Sequence, residues 1–314
     1  MLWQPSASMK SLRFRAHILG QLRLFFNARG YLEVETPILA KHGVSDRYLS
    51  NIKALVNQQS YFLQTSPEYH MKRLLAAGSG PVFQLARVFR DDELGRWHNP
   101  EFTMCEWYQL DIDHFELISE VDILLQQVLG LAPMKKVTYQ QVFMDICGID
   151  PLSSPLACLH ETLKRFGLGD VLSAEEQDRD QILFLLMSHV IEKALVNEPM
   201  PIAIFHFPPS QASLAKVNAG VAERFEVFYR GVELLNGFHE LTCAVSQRAR
   251  FESDNEQRVG AGLPPVVLDS YFLAALDHGL PPCSGVAMGI DRLLALALKE
   301  ESIKTVLSFD FSRA

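Results

Sequence analysis

In SLRFRAHILGQLRLFFNARG, residues 11–30, Ile18, Leu22, Phe25 and Phe26 recur at helical spacing. One apolar stripe of that period predicts a helix, and Gly30 supplies its stop. YLEVETPIL, 31–39, then alternates like a strand ending at Pro37, and SYFLQT, 60–65, reads as a second strand. SPEYHMKRLLAAG, 66–78, has Ser66 at the N-cap, Pro67 at the first helical position, Glu68 in the first turn and Gly78 past the end, which predicts a helix. PVFQLARVFR, 81–90, and EFTMCEWYQL, 101–110, read as strands joined by a polar loop.

Helices are expected at about 114–129, 155–166 and 175–195, and strands at 201–207, 222–229 and 232–240. AVSQRARFESDNEQRVG, 244–260, predicts a polar helix, and SGVAMGIDRLLALALKE switches from a short strand to a helix near Gly289. Strands joined by loops, with helices before, between and after them, predict an α+β fold with a mainly antiparallel sheet. Pro and Gly at the joints GIDPLSSP and NEPMP mark the middle, about 112–200, as a helical insertion.

Composition narrows the function classes. The chain has 314 residues, 48% of them apolar and 21% charged, within the range of a folded globular protein. A net charge of -8 argues against a life on nucleic acid, because phosphate contacts need clustered Lys and Arg. The five cysteines form no C-x-x-C pair and no zinc-finger spacing, as expected of reduced thiols. MLWQPSASMK carries no apolar signal core and ILFLLM is too short to span a bilayer, so a cytoplasmic protein away from membranes is expected. Neither G-x-G-x-x-G nor G-x-x-x-x-G-K-[ST] occurs, so any nucleotide is held without a Rossmann turn or a P-loop.

Candidate chemistry lies on the strands. Strand periodicity puts Phe102, Met104, Glu106 and Tyr108 on one face, and Asn236, Phe238 and Glu240 on another. Singly, such residues read as core aromatics and solvated acids. As a set they point elsewhere, because Glu106 lies among apolar neighbours and a buried Glu needs a partner. A ligand with amine groups supplies one. Arg90 follows Val82, Gln84, Ala86 and Val88 on one strand face; it either pairs with Asp91 or Asp92 or grips a carboxylate or phosphate. Arg292 sits in the first turn of the last long helix, where a bound polyphosphate suits both the helix dipole and the arginine. Glu226 and Glu233 flank Tyr229-Arg230-Gly231; a bulge or tight turn there lets both carboxylates meet at Mg²⁺.

These pieces, in this order, resemble the catalytic domain of class II aminoacyl-tRNA synthetases, with the lysyl type nearest. FFNARGYLEVETPIL resembles motif 1, which forms a homodimer interface in the family. FRDDELGRWHNPEFTMCEWY resembles motif 2 and SGVAMGIDRLLAL motif 3, while TSPEYHMKRLL and GVELLNGFHEL resemble the lysine-pocket segments. The resemblance implies one catalytic domain over 1–314, built on an antiparallel sheet flanked by helices, with ATP and Mg²⁺ as cofactors.

Carried over by position, the resemblance gives catalytic roles to Arg90, Glu233 and Arg292. Arg90 would hold the α-phosphate and the substrate carboxylate. Phe102 would stack on adenine, and Arg292 would cover its other face and reach the γ-phosphate. His98 and Asn99 would lie along the triphosphate, and Asp91, Asp92, Leu234 and Gly289 would complete the ATP site. Glu226 and Glu233 would bind the metal. Ser66, Pro67, Glu68, Glu106, Tyr108, Asn236, Phe238, Glu240 and Ala287 would line the amino-acid pocket.

Departures sharpen the expectation. Only about ten residues precede the motif 1 helix, so no anticodon-binding domain is expected. Ser66 stands where the synthetases usually have Ala, and Ala287 where they usually have Gly, which reshapes the pocket. Asp92 stands where the usual acid is Glu. A lysine-activating domain of this kind is similar to a branch of the family that activates (R)-β-lysine and joins it to a lysine side chain of elongation factor P, with tRNA not expected as a partner. The same pieces also suit a free-standing lysyl-adenylate-forming enzyme acting on tRNA or a small amine, or a non-catalytic amino-acid-binding paralogue.

Overall fold

A computed structural model describes residues 3–91, 94–173 and 175–314. The chain forms two compact units, one of Met1–Asp113 with Glu240–Ala314, the other of His114–His239.

The first unit opens with α1 (Met9–Asn27), capped by Ser8, whose Oγ accepts from the Ser11 N–H at 3.1 Å. Ile18, Leu22, Phe25 and Phe26, the apolar stripe of the sequence, are all buried. Short strands β1 (Leu32–Glu33) and β2 (Leu39–Ala40) follow, then the hairpin β3 (Lys53–Val56) and β4 (Gln59–Leu63). Next come α2 (Glu68–Ala76), β5 (Val82–Phe89) and β6 (Glu101–Leu110).

The strand expected to end at Pro37 forms only in part. β1 runs parallel to β5 and Val34 N–H still donates to Phe83 at 2.9 Å, but Pro37 has no N–H for a ladder. Beyond it the chain joins a separate three-stranded sheet, β2-β4-β3. β3 was not expected; its turn is Asn57-Gln58, both left-handed at φ 49° and 62°, the conformation two-residue hairpins need.

The second unit contains α3 (His114–Leu129), β7 (Lys135–Thr138), α4 (Tyr139–Cys147), α5 (Leu156–Arg165), α6 (Arg179–Leu186), α7 (Glu192–Ala194), β8 (Ile202–Phe207), β9 (Val217–Asn218), β10 (Val221–Tyr229) and β11 (Val232–His239). Its strand order is β11-β10-β8-β7, with β9 also on β10. The helix expected over 175–195 begins at its Asp178 cap and is interrupted by a π turn, Met187–Ile191, before α7. Tyr139, Phe143, Leu159, Leu163, Ile182, Leu186 and Phe228 share this unit's core. α4 and β7 escaped the sequence reading. At the tip of the β10–β11 hairpin, Arg230 and Gly231 are left-handed at φ 52° and 71°, and a Cβ on Gly231 would run into the Glu192 carbonyl.

The first unit resumes with α8 (Ala244–Gly260), α9 (Ser270–Gly279), β12 (Cys283–Gly289) and α10 (Ile290–Ala297). α8 matches the polar helix of the sequence residue for residue, whereas α9 went unread. The strand order here is β1-β5-β6-β12. β5–β6 and β6–β12 are antiparallel, as are β8–β10 and β10–β11 in the second unit, so the mainly antiparallel α+β expectation holds.

α1 covers one face of β5 and β6: Phe26 stacks on Phe83 at 4.6 Å between ring centroids and lies 5.1 Å from Trp107. Covering that face leaves the opposite one for chemistry. Among the described residues, no helix is long and apolar enough to cross a membrane.

Candidate active site

Strand register lays out the first unit's front face like a ruler. β5 and β6 pair Val88 with Phe102, Ala86 with Met104, Gln84 with Glu106 and Val82 with Tyr108. β12 adds Gly289 opposite Met104, Ala287 opposite Glu106 and Gly285 opposite Tyr108. Paired residues share a face, so three zones follow one another. Arg90 and Phe102 stand at one end, an apolar floor of Ala86, Val88, Met104 and Ala287 lies between, and Glu106 with Tyr108 occupies the other end.

The acidic end is closed by α2 and by the start of the segment after β11. Glu106 Oε2 accepts from Ser66 Oγ and Oε1 from Tyr108 Oη, both at 2.6 Å. Ser66 Oγ also accepts from the Glu68 N–H at 3.1 Å, although the cap position itself, expected at Ser66, falls on Pro67. Pro67 is the residue before the first turn of α2. Lys72, one helical turn after Glu68, is fully buried and donates to Glu68 Oε1 at 2.6 Å. Its Nζ also lies 2.5 Å from Glu240 Oε2. Glu240 Oε1 accepts no hydrogen bond among the described residues.

Two carboxylates thus pair with one buried ammonium and a third, Glu106, lies within its electrostatic reach, with only Glu68 partly exposed, at 17%. Burial pushes Glu106 up to about 7, reinforced by Glu68 and opposed by the Ser66 and Tyr108 hydrogen bonds. Burial likewise pushes Glu240 up to about 8, with Lys72 opposing. Burial alone would lower the Lys72 ammonium, but Glu240 and Glu68 outweigh it and hold it above its ordinary value. The cluster therefore carries two negative charges in excess when fully ionised, and it resists that state.

Gly285 is the residue that makes room. A Cβ there would overlap the Tyr108 ring and stand 2.8 Å from Glu240 Oε1. The sequence reading singled out Ala287 on this strand and missed Gly285 and Lys72. Glu68 and Lys72 at i, i+4 inside an apolar helix pattern were the available signal for the latter.

At the other end, Arg90 follows β5, with its N–H on Pro100 at 2.9 Å and its guanidinium 5.2 Å from the centre of the Phe102 ring. Asp91 N–H donates to Ser50 at 3.0 Å. Asp92 lies outside the described residues. Arg292 donates from Nε to the Trp97 carbonyl at 3.1 Å, and its other nitrogen meets His98 Nε2 at 2.6 Å. Asn99 is buried; it donates to Glu101 O at 2.7 Å and accepts from Phe311 N–H at 3.0 Å. Its amide therefore ties the polar loop to the C-terminal segment.

Gly289 precedes α10. Asp291, which the sequence reading passed over, holds this helix in place. It accepts from Thr103 N–H at 2.8 Å and from Arg15 at 2.5 Å, linking α10, β6 and α1. Arg292 is its neighbour and is aimed by the same anchor.

In the second unit, Glu226 opposes Asn236 and Arg224 opposes Phe238. Arg224 contacts Glu226 and donates to Asn236 Oδ1 at 3.2 Å. Past Val227 the register shifts so that Phe228 pairs with Glu233, leaving Leu234 as the inserted, buried residue. This bulge supplies the break in alternation that the pair Glu226 and Glu233 requires, putting both on one face. Two carboxylates on one face are the donor type that a hard divalent cation takes.

Residues 2–313 match the family model described as tRNA synthetases class II (D, K and N). A protein of Edwardsiella ictaluri named elongation factor P–(R)-β-lysine ligase is 50% identical, the match covering 99% of this chain and 98% of that protein. Proteins of the same name from Pasteurella multocida and Haemophilus influenzae are 49% and 50% identical, with the same coverage.

Lys72→Met tests the charge arithmetic. Removing the ammonium strands the carboxylates, and the variant is expected to lose about 3–5 kcal/mol at neutral pH. Glu106 and Glu240 have folded values raised above their unfolded ones, so the folded state binds more protons and gains stability as pH falls. Lys72 opposes both shifts, so its loss raises Glu240 and Glu106 above their native values of about 8 and about 7, and denaturant unfolding of the variant should recover on acidification from a higher pH than the native chain. A loss that is flat across this window would show that the cluster is not charge-limited.

Proposed function

We propose a ligase activity for this chain, which belongs to the class II tRNA synthetases (D, K and N): it activates (R)-β-lysine with ATP and joins it to the ε-amine of a lysine on elongation factor P. The observation that carries the reading is the charge of the acidic end. Glu68, Glu106 and Glu240 face one buried ammonium, Lys72, which leaves two negative charges for a substrate to neutralise. β-Lysine brings two ammonium groups. Glu240 Oε1, without a hydrogen bond among the described residues, is a ready acceptor for one of them. The name carried by the half-identical relatives supports the same substrate and acceptor.

The amino-acid carboxylate then points along the front face, past the apolar floor, toward Arg90. Adenine stacks on Phe102, and Arg90, already over that ring, neutralises the substrate carboxylate and the α-phosphate together. The carboxylate oxygen forms a bond to the α-phosphorus as the bond to pyrophosphate breaks. His98 and Arg292 lie along the departing phosphates, with Asp91 and Gly289 at the edge of the nucleotide site. Glu226 and Glu233 would hold Mg²⁺, which would supply positive charge when bound. In the second step the acceptor amine attacks the carbonyl carbon and AMP leaves. Rate comes from positioning and fixed charge, with no covalent bond to the protein. Ser66, Pro67, Tyr108 and Ala287 shape the amino-acid pocket.

We place this chemistry in the cytoplasm, in one catalytic domain that works as a homodimer through the α1–β2 segment. Leu24, Leu32, Ile38 and Leu39 are 62%, 52%, 42% and 42% exposed there, an apolar run that calls for a partner. A net charge of -8 disfavours tRNA as the acceptor.

Pyrophosphate exchange should run far better with (R)-β-lysine than with α-lysine, and intact mass spectrometry of elongation factor P should then show one added lysyl unit. Preference for α-lysine would remove the β-lysine assignment; exchange without any mass gain would remove the acceptor. For Gly285→Ala, the added methyl should raise KM for the amino acid by ten-fold or more, on the order of 1.4 kcal/mol, and leave KM for ATP unchanged. Equal loss on both substrates would mean that Gly285 serves the strand rather than the pocket. Sedimentation equilibrium should give a dimer that Leu24→Glu with Leu32→Glu converts to monomer; a monomeric native chain would end the motif 1 assignment.

A further inference from the structure

Behind the β10–β11 hairpin, on the face away from Arg224, Glu226 and Asn236, three metal-ligating side chains converge. His114, Glu223 and His239 each offer one donor atom within 4.8 Å of the other two. His114 and Glu223 are buried, and the His239 side chain is 19% exposed. We propose that these residues form a site for a divalent transition-metal cation of the Zn²⁺ type, separate from the Mg²⁺ carboxylates Glu226 and Glu233.

The donor set decides the class of ion. Two imidazoles and one carboxylate suit Zn²⁺ and its neighbours, whereas Mg²⁺ and Ca²⁺ prefer oxygen throughout. Outer partners already orient the ligands. Glu223 Oε1 accepts from Asn218 Nδ2 at 3.1 Å, and Oε2 lies 2.5 Å from His239 Nδ1. The His114 ring is braced by Phe115, with centroids 4.1 Å apart. His206, its centroid 5.3 Å from that of His114, is a candidate fourth ligand; otherwise water completes the shell.

The backbone supplies a second, independent sign. Between Ala222 paired with Phe207 and Phe225 paired with Phe205, Glu223 and Arg224 face the single residue His206. This β-bulge sends Arg224 to one face and Glu223 to the other. His206 is held left-handed at φ 62°, a costly conformation for a non-glycine residue. An ion pair between Glu223 and His239 requires neither the bulge nor the strained histidine beside a further buried imidazole.

His114 opens the second unit and His239 closes it. A cation there would clasp the two ends of the whole unit and resist its opening. The site therefore acts on stability and not on the acyl transfer.

The test uses the full-length, tag-free chain, stripped with chelator and dialysed. Zn²⁺ alone, titrated by calorimetry, should bind at one equivalent per chain, undisturbed by excess Mg²⁺, and should raise the thermal midpoint. His114→Gln and His239→Gln should each weaken binding by at least about ten-fold and abolish the thermal shift, since even outer-shell losses cost about 10–100-fold. Co²⁺ in the native chain should give the intense visible bands of a tetrahedral nitrogen-ligated ion, a readout that stands even where a variant fails to fold. Less than one equivalent of Zn²⁺, binding that survives both substitutions, or a cobalt spectrum of octahedral weakness would overturn the proposal.

Discussion

The charge imbalance around Lys72 is the constraint on which the first unit's architecture turns. Three carboxylates gathered about one ammonium are unfavourable in a closed site unless something fixes them there. The fixing comes from separate elements: α2 contributes Glu68 and Lys72, β6 contributes Glu106 and Tyr108, and the residue after β11 contributes Glu240. Glu240 is itself pinned through its N–H to Cys283 of β12 at 3.0 Å. Each acid is held by backbone it does not share with the others, so none can withdraw without moving an element. The site stores an unmet demand for positive charge, and the fold carries that cost.

The opposite face of the same strands explains how the cost is carried. Phe26, Phe83 and Trp107 interlock behind β5 and β6 with almost no exposure, and Asp291 couples the neighbouring helix to Thr103 and Arg15. A rigid apolar layer thus backs a polar one on alternate residues of the same strands. Glu106 points forward and Trp107 back because strand geometry leaves no other choice. Affinity for cations on the front depends on hydrophobic burial behind it.

Much of this was legible in the sequence because it rests on period. The stripe of α1, the paired strands β5 and β6, the polar helix α8 and the common face of Phe102, Glu106 and Tyr108 all follow from spacing alone. Ser66 stands one place before the cap position, which Pro67 takes, and its role as hydrogen-bond donor to Glu106 was not legible because that partner is forty positions away. Lys72 was unread because a lysine in a helix is ordinarily on the surface, and only the converging acids keep this one inside. Gly285 was unread because glycine shows no pattern; its meaning lies in the Tyr108 ring across the ladder. β3 was lost to its four-residue length, and the strand read as ending at Pro37 pairs only over Leu32–Glu33, short of that proline.

The bulge at Leu234 has a consequence for how the chain can change over generations. Exchanging a side chain along β11 leaves Glu233 in register with Phe228, because the register belongs to the count of residues and not to their kind. Loss of a single codon between Val232 and Asn236 is a different event. It would turn part of the strand over in one step, with no half-way form for selection to improve. Lineages that keep two carboxylates on this face are therefore expected to vary at Val232, Leu234 and Leu235 but to allow no change of length.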